Sequence, residues 1–166
     1  MSDPAVVDLI RTLLILVLVY LAYIDFQTFQ LPDLITLPLI ASGIFFNALS
    51  GLRFVNLQQS ILGAILGYIC LWGLNRLYRF LKKQEGIGMG DAKLLAGLGA
   101  WLGWSSLPAL LFTASIAGLL GGLAWLKLNK QTIGSAFPFG PFLIFAGIIE
   151  LLWPQLLQNI LIISPT

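Results

Sequence analysis

Polar residues are scarce along this chain and gather in short clusters between long apolar runs. A run needs about 20 mostly apolar residues to cross a bilayer, fewer where neighbouring protein covers its ends. On that basis the runs predict six helices. Helix 1 is expected over Val6 to Ile24, helix 2 over Leu34 to Leu49 and helix 3 over Leu57 to Leu77. A short helix 4 is expected over Ala92 to Leu102, helix 5 over Leu107 to Leu126 and helix 6 over Phe139 to Trp153. Beyond Pro154 a last apolar stretch, Leu156 to Ile163, either extends helix 6 past a kink or lies in the interface. The expected fold is all-α, a polytopic membrane bundle of about six helices forming one domain over residues 1–166. Small residues recur four apart, at Gly63 and Gly67, at Ala92, Ala96 and Ala100, and at Ala114, Gly118 and Gly122. In lipid such seams let helix backbones approach closely.

Composition agrees with a bilayer as solvent. The chain is 58% hydrophobic and 10% charged, with a mean hydropathy of +0.94, whereas about a quarter of a soluble domain is charged. The first run ends in Tyr-Ile-Asp-Phe, not in small residues, so it reads as a retained span rather than a cleaved signal. The single cysteine, Cys70, reads as a small packing residue. Positive charge sets the orientation. Arg76, Arg79, Lys82, Lys83 and Lys93 surround the helix 3–4 loop, and Lys127 and Lys130 lie in the helix 5–6 loop. Loops rich in Lys and Arg stay in the cytoplasm. That end, with the helix 1–2 loop from Asp25 to Asp33, is therefore expected to be cytoplasmic. Arg11 and Arg53 remain toward the outside, where both termini are expected. Four of the tryptophans sit near predicted span ends, as interface anchors do.

The seven acidic residues can be weighed singly. Asp3 and Glu85 read as solvated. Asp8 and Arg11 are spaced to pair on one helix face. Glu150 reads as an interfacial, snorkelling acid. Asp25 stops helix 1 where water begins, a weak cap because helix C-termini prefer cations. Asp33 and Asp91 both precede apolar helices, and capping backbone N–H groups explains each of them. The alternative for Asp25 and Asp91 is a pair. Both fall at the same membrane boundary on separate helices, and two close carboxylates share one proton instead of both ionising. Such a pair can take a proton from water with one member while the other supports a carbonyl.

The stretch "EGIGMGDAKL", Glu85 to Leu94, places Gly86, Gly88 and Gly90 on alternate positions before Asp91. Glycines there remove side chains beside the carboxylate, so that an extended backbone can approach; a plain flexible turn is the ordinary alternative. Lys93 is either a partner for a carboxylate or carbonyl, or an inside-positive anchor. The turn from Pro138 through Gly140 to Pro141 opens helix 6 on the same side and reads first as a structural turn. Histidine is absent, which removes zinc proteases of the His-Glu-x-x-His type and Ser-His catalysis. A Ser/Lys protease remains formally open, although no serine has an obvious lysine partner. A two-aspartate protease survives.

Three segments carry a resemblance. "DFQTFQLPDLITLPL", Asp25 to Leu39, resembles the first signature of type IV prepilin peptidases. "GIGMGDAKLLAGLGAWLGW", Gly86 to Trp104, is similar to their Gly-x-Gly-Asp signature with its nearby lysine, and "FPFGPFLIFAG", Phe137 to Gly147, looks like a third recurring segment. The resemblance covers most of the chain. It implies an aspartic peptidase of the bacterial inner membrane that removes the leader of prepilins or pseudopilins at the cytoplasmic face, for type IV pili or type II secretion. It implies Asp25 and Asp91 as catalytic residues, with Gly88, Gly90, Lys93, Asp33, Pro138 and Gly140 supporting them or the substrate. Expected partners are the prepilin or pseudopilin and membrane lipid, with a homo-oligomer left open and no nucleic acid. No cofactor or metal is expected. Full-length bacterial members often carry an N-terminal region with a Cys-x-x-Cys pair and methylate the new N-terminus. This chain has no such pair, so methyltransferase activity is not expected of it. The rival reading is a proton-coupled transporter or a subunit of a membrane assembly, since acids near membranes often mark ion paths. Few polar groups in helices 2, 3 and 5 weigh against a transporter.

Overall fold

The computed structural model describes residues 4–49, 54–82, 88–128 and 138–153. Asp3, Arg53, Lys83, Glu85, Gly86, Lys130 and the stretch from Leu156 to Ile163 lie outside these residues. The expected all-α bundle is what forms: α1 Pro4–Thr28, α2 Asp33–Ala48, α3 Leu57–Lys82, α4 Met89–Leu102, α5 Leu107–Leu128 and α6 Gly140–Leu152, with a 3-10 turn Trp104–Ser106 before α5. Length alternates. Within α1, α3 and α5, the segments Ala5–Thr28, Leu57–Leu81 and Trp104–Leu123 are long and apolar enough to cross a membrane. The six expected helices are all present; three are long, while α2, α4 and α6 are short, with 16, 14 and 13 residues.

The long helices turn apolar side chains outward. Leu9, Leu16 and Val19 of α1, Ile69 of α3 and Leu119 and Leu123 of α5 are exposed. In water this surface would be a liability; against lipid tails it costs nothing. Cys70 lies on that exposed face of α3 and not in the packing. The interior belongs to α4, which packs on α2, α3 and α6 and buries every residue from Leu94 to Leu102. The glycine seam of α3 makes this close approach. A Cβ on Gly63 would collide with the carbonyl of Gly99, and one on Gly67 would lie 2.7 Å from the carbonyl oxygen of Leu95.

At 1.5 Å per residue α4 is only about 21 Å long, so it ends inside the protein. Its last four carbonyls cannot be bonded within the helix, and each finds another donor. Gly103 N–H donates to Gly99 O (2.8 Å). Asn47 Nδ2 donates to Ala100 O (2.9 Å) and Trp101 O (3.2 Å). Ser60 Oγ also donates to Ala100 O, and Ser106 Oγ to Leu102 O (3.1 Å). Asn47 Oδ1 in turn accepts the N–H groups of Phe54 and Val55. Trp101 is part of this knot, not an interface anchor: its indole N–H donates to Leu39 O and its ring stacks on Phe46. Near the start of α1, Asp8 and Arg11 form the expected ion pair at 3.0 Å.

Two helix boundaries shift and change the meaning of the acids. α1 runs past Ile24 to Thr28, so Asp25 lies within the helix and does not stop it. Termination falls to Phe29, whose φ of 53° is left-handed. Its N–H donates to Asp25 O at 2.9 Å, a familiar helix ending. Glu150, expected at an interface, is buried in α6 at 3% exposure.

Candidate active site

α4 begins at Met89 after Gly88, which provides the extended cap residue, so Asp91 falls in the first helical turn. Neither Asp91 nor Asp33 caps its helix through its side chain. The capping explanation for both fails because each helix starts early enough to place its aspartate past the cap. Asp91 keeps the electrostatic benefit of a helix N-terminus, but its carboxylate is free for other contacts.

Those contacts converge on Gly140. A Cβ placed on Gly140 would lie 2.5 Å from Oδ2 of Asp25 and 3.2 Å from Oδ1 of Asp91. Carboxylates from α1 and α4 thus both reach within 3.2 Å of one point over the first residue of α6. Only glycine lets the carboxylates come this close to the start of α6. Asp25 is 4% exposed and Asp91 7%. They are near enough to interact electrostatically, and the Gly140 N–H faces the Asp25 carboxyl. Oδ2 of Asp25 is buried without a hydrogen-bond partner among the described residues. A buried carboxylate oxygen in that state is costly, and an arriving water or peptide would relieve it.

The remaining predicted residues distribute themselves around this point. Pro138 is buried just before α6. Gly88 is exposed, and a Cβ on it would touch only Asp91 Oδ2, at 3.6 Å, and backbone at 4.0 Å, so open space adjoins the carboxylate. The space beside Gly90 is taken: Leu31 would lie 2.9 Å from a Cβ there. That glycine admits the protein's own α1–α2 connector. Lys93 does not join the carboxylate pair but bonds Asp33, at 2.5 Å. Sequence reasoning missed Asn75, a buried amide of α3 that donates to Met89 Sδ (3.9 Å) beside the Asp91 turn. Its signal was an amide inside an otherwise apolar run.

Asn75 reaches Met89, so the positively charged Arg76 and Arg79 end of α3 lies at this end of the bundle. A Cβ on Gly118 would meet Phe139 at 3.4 Å, so the middle of α5 packs beside the start of α6.

The chain is thus an all-α membrane helix bundle with two buried aspartates facing one glycine. The comparisons narrow the class: the chain belongs to the type IV leader peptidase family, whose sequence profile matches residues 12–123. It is 46% identical over 141 residues to the prepilin leader peptidase/N-methyltransferase of Aeromonas hydrophila, covering 85% of this chain and 48% of that protein. The protein of the same name from Dickeya chrysanthemi is 43% identical over 135 residues (81% of this chain, 47% of that protein). That from Burkholderia pseudomallei strain K96243 is 43% identical over 130 residues (78% and 41%). The chain spans about half the length of the curated relatives it matches. No solved structure matches it.

Proposed function

We propose that this chain is an aspartic endopeptidase that removes leader peptides from type IV prepilins or pseudopilins, with Asp25 and Asp91 as its catalytic pair. The observation that carries the reading is the convergence of both carboxylates over Gly140, together with membership of the leader peptidase family. One carboxylate, ionised, takes a proton from a water between the pair. The resulting hydroxide adds to the scissile carbonyl, whose oxygen takes a proton from the other, neutral carboxyl. The tetrahedral intermediate then collapses, the C–N bond breaks, and the amine leaves with a proton. The pair works as a unit, so either residue can be the base. The open space beside Gly88 provides room for an extended backbone next to Asp91.

In this reading the site faces the cytoplasm at the inner membrane, a placement supported by the Arg76 and Arg79 end of α3 lying at the carboxylate end and by the tendency of positive charge to stay inside. The relatives' names also include N-methyltransferase, but that activity is no part of this proposal. The test is cleavage of a prepilin in membranes by wild type, Asp25→Asn and Asp91→Asn. Each variant is expected to insert and fold yet lose cleavage by roughly a thousandfold or more. Near-wild-type cleavage by either removes that residue from the pair.

A further inference from the structure

Asp25 and Asp91 are held by different neighbours: α1 packs on α6, with Leu18 and Leu21 fully buried. Asp91 belongs to α4, gripped by α2, α3 and α6. α1, which carries Asp25, packs extensively on α6 and only slightly on any other helix. From Ile10 to Val17 it faces α2 across an apolar groove of about 400 Å3, with Leu14 and Val17 on one wall and Ile35 and Pro38 on the other. On its other side α1 packs on α6, and Asp25 meets Gly140 there. Toward α2, the only covalent tie is the connector from Phe29 to Pro32.

That connector is fastened to α4. Leu31 fills the space beside Gly90 and is buried. Phe29 holds a left-handed φ of 53° that a phenylalanine adopts only under constraint. Thr28 Oγ accepts the Gln30 N–H at 3.3 Å. At the far end of the connector, Asp33 Oδ1 meets Lys93 Nζ at 2.5 Å across α2 and α4. The side chains are 59% and 23% exposed. Ion pairs so open to solvent add little to stability, so stability is a poor reason for this one. Among the described residues the ion-pair partner of Lys93 is Asp33 and not Asp25 or Asp91.

We infer that the Asp33–Lys93 ion pair is a positioning strut that locks the α1–α2 connector onto α4 and thereby sets the gap between Asp25 and Asp91. The inference rests on those two residues being the catalytic pair. A displacement of about 1 Å in such a site costs on the order of 100-fold in rate, so a modest tie has leverage on catalysis out of proportion to its effect on folding.

The experiment uses the full chain reconstituted in liposomes with a prepilin substrate. Asp33→Asn and Lys93→Gln are each expected to lower kcat about 10- to 100-fold, with KM within about twofold and the melting temperature unchanged. Lys93→Arg keeps the charge and retains kcat. The charge reversal, Asp33→Lys with Lys93→Asp, recovers most of what either single variant loses. A reversal no better than the singles overturns the strut. So does an effect confined to KM, which would mean substrate contact, and so does an unchanged kcat in both singles. Asp25→Asn, run alongside, separates the two levels: if it cleaves like wild type, the premise fails and the strut with it, whereas its inactivity leaves the reversal as the deciding result.

Discussion

The two ends of α4 treat their polar groups in opposite ways. At the C-terminal end, Ala100 O, Trp101 O and Leu102 O are buried and each is matched by a side-chain donor from Asn47, Ser60 or Ser106. At the N-terminal end, Asp91 and Asp25 are equally buried, yet Asp25 Oδ2 has no hydrogen-bond partner among the described residues. Unmatched buried polar groups are rare because each carries a desolvation cost. The first end is closed by the protein's own side chains; the second carries the candidate site.

The largest expected effect tests whether the open end acts as a unit. The double variant Asp25→Asn/Asp91→Asn is expected to cleave prepilin no more slowly than either single, because residues that act together do not add. Steady-state cleavage in liposomes checks this. Multiplicative losses would mean that the carboxylates act separately.

Next come two glycines, one at each end. Gly140→Ala puts a methyl group 2.5 Å from Asp25 Oδ2, which forces the carboxylate off its position. It is expected to cost on the order of 100-fold in kcat while the helix bundle persists by circular dichroism. Gly63→Ala puts a methyl group into the carbonyl of Gly99, forcing α3 from α4. It is expected to cost about 1–3 kcal/mol or more of stability and to leave the activity of the molecules that still fold much closer to wild type. If Gly140→Ala unfolds the protein and Gly63→Ala spares it, the assignment of the two ends is reversed.

Asn47→Leu sharpens the same contrast from the architectural end. It removes the partners of Trp101 O and of the Phe54 and Val55 N–H groups, leaving Ala100 O to Ser60. A loss of about 2 kcal/mol is expected, read as an earlier denaturation midpoint in detergent, with cleavage per folded molecule unchanged.

Much of this was legible in the chain. Apolar runs located six helices, because in lipid length and hydropathy are the dominant constraints. The seam at Gly63 and Gly67 announced the α3–α4 crossing. Asp25 and Asp91 stood out because few acids exist to choose from. What stayed hidden depends on where helices stop. Capping looked sufficient for Asp91 and Asp33 until the observed starts at Met89 and Asp33 placed both past the cap position. Gly90 looked like an approach for substrate, but the chain's own Leu31 occupies it. Gly140 looked like a turn, and only its proximity to residues far away in sequence makes it part of the site. Long-range contacts of that kind leave no local periodic trace. The Asn47 knot was invisible for the same reason: an amide near the end of an apolar run does not say which carbonyls it will meet.

The smallest expected effect is Ser60→Ala, and it asks how completely the architectural end is matched. Ser60 is fully buried in α3, and its hydroxyl shares Ala100 O with Asn47. Removing it leaves that carbonyl with one side-chain donor in place of two. A side-chain hydrogen bond between membrane helices contributes about 0.6 kcal/mol on average, so a loss near that size is expected, with no change in cleavage. Combined with Asn47→Leu it should cost more than the two losses added together, because only then is Ala100 O left with neither donor. A double-variant cycle in detergent reads this coupling directly. Simple additivity would show that Ala100 O finds a third partner, and would weaken the case that this end of α4 is closed by these two side chains.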